Sequence, residues 1–288
     1  MLKLNGNVIG MKEQKYVLTK DTAIYNTIGT IKLDDKFIIV RSEEATFDIN
    51  GNILNLKTSS LVDVKRNKMK DSMRVFYYKN DKLIGIRNIS ENKPADSFEF
   101  HYLRKGLLDY YRSFDVNGGV DYKMTYVYKG KKVFTIRKKD KGNFAIAMIK
   151  LKYKEDRISE WEYYDKEFRN TETRRFSYKE NKDGNFDESY AVVDGNGTLR
   201  GGMTLLKDPS GNILEQSVVD SGRTVTAYFQ YQYDTHQNKI KEKIYLGLEQ
   251  ANVENRYTYD THDNWTRKEI FTNDVLTAIV TRSYNYGE

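Results

Sequence analysis

Three histidines, His101, His236 and His262, are the side chains best suited to metal binding or proton transfer in this 288-residue chain. His236 and His262 each follow an aspartate by two residues, in Asp234-Thr235-His236 and Asp260-Thr261-His262. Asp234, His236, Asp260 and His262 would offer nitrogen and oxygen ligands if neighbouring hairpins brought them together. The favoured reading is that Thr-His occupies the exposed centre of a turn and was copied with a repeat. The chain has no cysteine, which excludes disulfides, thiolate zinc sites and cysteine nucleophiles. No metal and no cofactor are expected.

Other chemistry fares no better. Glu160 and Glu162 form a carboxylate pair, but glycoside hydrolysis needs two carboxylates across a cleft, and a period of two places these on one sheet face. Asp194-Gly195-Asn196-Gly197-Thr198 is glycine-rich but lacks the lysine of a phosphate-binding loop and precedes no helix. No nucleophile elbow, zinc-protease or kinase signature occurs. The expectation is a protein that is not an enzyme and has no catalytic residue. Trp161, Tyr233, Tyr259 and Trp265 are the candidates for ligand binding, as an exposed aromatic strip for sugars. Against this stands the favoured alternative, that they fill the buried face of a one-sided sheet.

The elements that carry these residues are strands. Tyr231-Gln232-Tyr233-Asp234-Thr235-His236-Gln237-Asn238 recurs 26 residues later as Tyr257-Thr258-Tyr259-Asp260-Thr261-His262-Asp263-Asn264. The turn recurs upstream at Asp208-Pro209-Ser210-Gly211-Asn212, Asn181-Lys182-Asp183-Gly184-Asn185 and Asp48-Ile49-Asn50-Gly51-Asn52. Aspartate or asparagine opens a type I turn through its side chain, and glycine at the fourth position supplies the left-handed residue of a bulged hairpin. Gly51, Gly184 and Gly211 are the structural turn residues on this reading. Gln237 and Asp263 stand where glycine is expected, so those two turns are expected to differ in detail. A second series of turns, including Asp115-Val116-Asn117-Gly118, Lys139-Asp140-Lys141-Gly142, Asp194-Gly195-Asn196-Gly197 and Asp220-Ser221-Gly222, interleaves with the first.

Between turns the residues alternate with period two, as from Thr224 to Tyr233, which is the mark of a half-buried strand. Aromatic abundance, with 23 tyrosines and 13 phenylalanines, suits such a surface. The expected fold is all-β: a long antiparallel meander of hairpins, about 26 residues per repeat, curled into a spiral or rolled shell with only its two terminal strands as open edges. Residues 1–288 form one domain, with 1–45 a less regular N-terminal cap in which Ile31 to Ile38 reads as a hairpin.

The Tyr-x-Tyr-Asp-x-x-Gly-Asn pattern resembles the YD repeats of Rhs-type bacterial proteins, and is closer to small secreted or envelope-associated proteins built only of such hairpins. The opening Leu4-Asn5-Gly6-Asn7-Val8 and the closing Tyr259-Asp260, Asn264-Trp265 and Arg282-Ser283-Tyr284-Asn285-Tyr286 carry the likeness. It is good over residues 150–288 and weak before them. The resemblance implies a non-catalytic β repeat and transfers no catalytic residue.

Net charge is +7, with both signs interspersed. Lys65 to Lys70 and Lys129 to Lys132 read as solvated turn charge, so no nucleic-acid partner is expected. No apolar run approaches the ~20 residues of a membrane helix. The functional expectation is a non-enzymatic binding or scaffold protein, monomeric, extracytoplasmic, with a protein or glycan partner. An immunity or antitoxin-like protein that caps a toxin, and an envelope glycan-binding protein, are the alternatives. Met1-Leu2-Lys3-Leu4-Asn5-Gly6 reads as turn chemistry, so any signal peptide is expected to lie outside this sequence.

Overall fold

A computed structural model describes residues 4–18, 37–63, 68–181 and 183–287. The expected hairpin at Ile31 to Ile38 and the charge cluster from Lys65 lie largely outside the described residues. Twenty strands follow one another: β1 (Val8–Leu18), β2 (Phe37–Phe47), β3 (Ile53–Asp63), β4 (Lys68–Lys79), β5 (Lys82–Ser90), β6 (Lys93–Tyr102), β7 (Leu108–Phe114), β8 (Val120–Lys129), β9 (Lys132–Asp140) and β10 (Ala145–Lys154). Then come β11 (Arg157–Tyr164), β12 (Asn170–Glu180), β13 (Phe186–Asp194), β14 (Leu199–Lys207), β15 (Ile213–Asp220), β16 (Val225–Tyr233), β17 (Lys239–Leu246), β18 (Glu249–Tyr259), β19 (Trp265–Thr272) and β20 (Val275–Tyr286). No helix occurs among the described residues.

All twenty strands belong to one sheet. The expectation of two open terminal edges is corrected. β1 pairs antiparallel with β2 and also with β20, in register from Val8 opposite Tyr286 to Val17 opposite Ala278. The sheet is therefore a closed twenty-stranded β-barrel in its hydrogen bonding, not a spiral or rolled shell. The physical reason is that a terminal strand left as an edge exposes a row of unpaired amides and carbonyls. Pairing the two ends with each other satisfies both rows. Residues 8–18, inside the expected cap, are thus a regular member of the ladder.

The chain divides into two compact units, one of residues 1–96 with 252–288 and the other of residues 97–251. In the first, Val8, Met11, Ala45 and Phe47 form a buried cluster backed by Leu4, Ile53, Leu56, Tyr284 and Tyr286. Met11 lies opposite both Ala45 and Tyr284, so this core sits across β20, β1 and β2. In the second, only Met148, Leu151 and Val193 are buried apolar side chains among the described residues.

One turn design recurs eleven times among the described residues. The first residue's amide donates to the fifth residue's carbonyl, and the fourth residue's amide donates back to the first carbonyl, as in Asp208, Gly211 and Asn212 at 2.9 Å each. The fourth residue is left-handed. Gly51, Gly184 and Gly211 have φ of 77°, 76° and 88°. Gln237 and Asp263, expected to alter their turns, take φ of 64° and 61° with the same two hydrogen bonds. In the turns that open at Asp140 and Asp220 the left-handed residue is Asn143 or Arg223, one place after the glycine. The opening side chain explains the tolerance: Asp194 Oδ1 accepts from the Asn196 amide at 3.0 Å and the Thr198 amide at 2.9 Å. Two anchored amides hold the turn whichever residue follows.

A β-carbon built at Gly51 or Gly211 meets nothing within 4 Å, so Gly211→Ala should cost only the conformational penalty of the left-handed region, about 1 kcal/mol. Arg223→Gly should stabilise by a similar ~0.5–1 kcal/mol. Urea midpoints read both, and a neutral Gly211→Ala would contradict the turn assignment. The turn acids also set a pH dependence. The Asn52 side chain holds Asp48 below the ordinary carboxylate range, and the amides of Arg169 and Thr198 do the same for Asp165 and Asp194. A carboxyl lowered on folding contributes stability that is present above its unfolded value, about 3.9, and lost as pH falls through the folded value. Asn181 fills the same role without charge, accepting from Asp183 and Asn185 amides at 3.1 and 3.0 Å. Replacing Asp48, Asp165 and Asp194 together by asparagine should therefore flatten the acid limb of a stability-against-pH curve while preserving the fold at neutral pH.

Candidate functional site

Cross-strand register shows how the second unit sorts its side chains. Directly opposed residues share a face. Phe176, Tyr190, Met203, Val218, Ala227 and Leu246 form one unbroken row from β12 to β17. Tyr126, Ile136, Ile149 and Tyr163 form another on the same face, and Leu151 opposite Trp161 a third. The other face is polar: Lys179, Asp187, Leu206, Glu215, Gln230 and Lys243 are in register across the same strands. The apolar face is bordered by charge towards the strand ends, with Glu172 and Arg174 at one end and Glu188 at the other.

The aromatic side chains on this face are held edge to face rather than laid open. Trp161 packs against Tyr163 at 6.1 Å and Phe176 at 6.0 Å, with interplanar angles of 89° and 88°. Its indole Nε1 is buried without a hydrogen-bond partner. Arg174 lies over Tyr163 at 5.3 Å and Tyr190 at 5.7 Å and is paired with Glu172 at 2.7 Å. Burial of the phenol, above all, raises Tyr163 from its ordinary value.

The remaining candidates are engaged in the sheet. Tyr233 donates its hydroxyl to the Ile213 carbonyl at 2.9 Å. Tyr128 and Tyr153 do the same to Leu108 and Val133, at 2.7 and 2.8 Å and the same separation of 20 residues, so this is a repeated buckle across hairpins. Tyr259 stands beside Tyr257 at 6.2 Å. Trp265 packs against Tyr257 at 5.8 Å, and the Arg282 guanidinium covers its ring at 3.7 Å.

The histidines and carboxylates have local partners. His101 stacks on Tyr110 at 4.2 Å, with Nε2 3.0 Å from Glu99. His262 stacks on Tyr286 at 4.2 Å, and Asp260 Oδ2 accepts from the Tyr286 hydroxyl at 2.6 Å. Asp234 and Asp260 each use Oδ1 to hold their own turn, and the two turns belong to different units. Glu160 and Glu162 share Lys152, at 2.6 and 2.8 Å, and these hydrogen bonds raise the ammonium above its ordinary value. Asp194, Asn196, Gly197 and Thr198 spend their amides inside the turn. Among the described residues no three His, Cys, Asp or Glu side chains gather as metal ligands would.

Sequence reading did not anticipate a second constellation, at the chain ends. Asn264 is buried; its Nδ2 donates to the Asn5 carbonyl at 2.6 Å and the Tyr286 hydroxyl at 2.9 Å, and its Oδ1 accepts from the Asn5 amide at 2.8 Å. Gly6, at φ 77°, passes so close that a β-carbon there would sit 3.1 Å from the His262 ring and 3.2 Å from Tyr286. Arg282 bonds Glu13 at 2.7 Å, and the Tyr284 hydroxyl donates to the Trp265 carbonyl at 2.8 Å. The opening Leu-x-Gly-x-Val and the closing Asn-Trp and Arg-x-Tyr-x-Tyr segments meet here; both are visible as motifs, but nothing in either names the other as its partner.

No family model matches the chain, and no curated protein matches it. Among solved structures it is similar to a porin-like protein from Bacteroides uniformis, at 9% identity over 98% of this chain and 99% of that one, with a TM-score of 0.41. A porin-like protein from Bacteroides vulgatus follows, at 13% identity, 94% and 97% coverage and a TM-score of 0.26. A DUF1329 family protein from Desulfovibrio piger has 8% identity, 98% and 88% coverage and a TM-score of 0.19. Scores this low carry no argument about what this chain does. The resemblance to YD-repeat, Rhs-type proteins is corrected: neither the comparisons nor the closed ladder of strands upholds it, and the shared residues are those that any bulged hairpin and its closure require.

Proposed function

We propose that the protein is a non-enzymatic binding protein of the bacterial envelope that holds an apolar or amphiphilic chain against the aromatic face of its second unit. The observation that carries the reading is that face itself. Register strings apolar and aromatic side chains along it from β6 to β17, interrupted by Lys138, Glu172 and Arg174, yet these side chains stay half-exposed and only three apolar residues of the unit are buried. Apolar surface of this extent without a covering layer meets a ligand, a partner or lipid.

Spanning a bilayer is disfavoured by the first unit. On β2 and β3, Arg41 opposite Ser60 and Glu43 opposite Thr58 share one face, while Ser42 opposite Ser59, Glu44 opposite Lys57 and Thr46 opposite Asn55 share the other. Neither face suits lipid, where one midplane cation costs about 2–4 kcal/mol. Sugar binding is disfavoured because Trp161 is packed edge to face and Trp265 is capped by Arg282. A carbohydrate platform needs an open ring face. Aliphatic neighbours such as Ile149, Leu151 and Met203 favour a hydrocarbon chain instead.

Trp161 can report on this directly. In a Trp265→Phe variant it is the sole indole, and a brominated fatty acid below its micelle concentration should quench it saturably. Met203→Glu, on the same face, should weaken the quenching. Absence of saturable quenching would overturn the proposed ligand class, and tight co-purification of one protein would favour the toxin-capping alternative.

A further inference from the structure

In a meander, alternate turns lie on opposite edges of the sheet. In the second unit one edge carries the turns at 115–119, 140–144, 165–169, 194–198, 220–224 and 247–248. The large apolar residues of this unit that are more than half exposed are Val116 at 60%, Phe144 at 73%, Phe168 at 57%, Val225 at 53% and Leu248 at 107%. All five lie on or beside turns of that one edge. Towards the opposite edge of this unit no large apolar residue among those described is more than half exposed: Leu103 is at 41%, and Val127 and Phe134, each three residues from the turn at 130–131, are at 43%.

Phe168 adds a second observation. It occupies the left-handed fourth position of its turn, with φ of 60°, where six of the eleven turns place glycine. A bulky residue there is strained and exposed at once, and such strain points to a role.

Charge supplies the third. Residues 101–154 hold 14 Lys and Arg against 4 Asp and Glu, while the rest of the chain holds 34 against 37, so this segment carries the whole positive excess. Arg112, Lys123 and Lys139 stand in direct register across β7, β8 and β9, beside the turns that carry Val116 and Phe144. The row continues to Glu99 on β6, opposite Arg112, and Arg112 and Lys123 lie over the Tyr110 ring. Like charges directly opposed are unfavourable within a sheet, and one acid against three cations leaves the row with a net positive charge complementary to an anion outside it.

We propose that this edge docks on an anionic lipid surface, with Phe144, Phe168 and Leu248 entering the interface and the cations of β7–β9 lying among the headgroups. Successive turns on one edge are two strands, about 10 Å, apart. The apolar tips therefore spread over tens of ångströms along one edge, a span that fits an extended surface better than a pocket. Apolar insertion combined with cationic attraction is the usual basis of such binding. The proposal concerns the rim and is independent of the ligand suggested for the aromatic face.

Flotation with vesicles of phosphatidylcholine containing phosphatidylglycerol, against pure phosphatidylcholine, tests it. Binding should require phosphatidylglycerol and weaken with salt. The variant Phe144→Ser/Phe168→Gly/Leu248→Ser should bind about tenfold more weakly or worse. Phe168→Gly alone should bind more weakly while unfolding at a higher urea concentration, because glycine relieves the strain; that pairing separates lost docking from lost folding. No binding to the anionic vesicles, or binding unchanged in the triple variant, would overturn the proposal. So would a concentration-dependent dimer that the same substitutions abolish, since the rim would then be an interface between copies.

Discussion

The pairing of the first strand with the last is the constraint on which the rest depends. A sheet of twenty strands joined in sequence has two edges unless its ends meet, and an edge is a template for unwanted pairing. Here β1 lies between β2 and β20, and the clasp of Asn264 on Asn5 fixes where the ladder closes. Register is unforgiving at this point, since a slip by one residue would turn Met11 away from Ala45 and Tyr284 and carry Glu13 away from Arg282. A buried apolar cluster sits on this seam, where it opposes such a slip directly.

Elsewhere the fold relies on many small, similar devices. Ten of the eleven bulged turns open on an Asp or Asn, the one at Leu103 being the exception, and tyrosine hydroxyls buckle hairpins to carbonyls about twenty residues upstream. Because each device is local, the sheet needs no thick core to keep its order. The second unit can therefore leave a broad apolar face half-exposed, and a face not consumed by the protein's own packing is available for binding.

Much of this was legible in the sequence. Period-two alternation and turn chemistry gave the antiparallel meander, and the opening Asp or Asn with Gly51, Gly184 and Gly211 located bulged turns. Closure was not legible, because nothing local in Val8 to Leu18 names its partner 270 residues away. The turns at Gln237 and Asp263, expected to differ in detail for want of glycine, keep the common geometry because the Asp234 and Asp260 side chains hold it. The aromatic candidates were identifiable by type, but edge-to-face packing of Trp161 and the Arg282 cover on Trp265 depend on cross-strand neighbours. The basic segment was hidden by averaging, since a near-neutral remainder dilutes it in the chain total.

Closure can be tested directly because the chain has no native cysteine. Cysteine pairs placed at Lys12 with Ser283, and separately at Glu13 with Arg282, lie opposite each other across the β1–β20 seam. A disulfide needs β-carbons about 4 Å apart. Mild oxidation should therefore link at least one pair within a single chain, with higher resistance to urea, while a control pair at Lys12 and Glu91 should stay reduced. Failure of both seam pairs to form a disulfide in the folded protein would contradict a closed ladder and return the terminal strands to open edges.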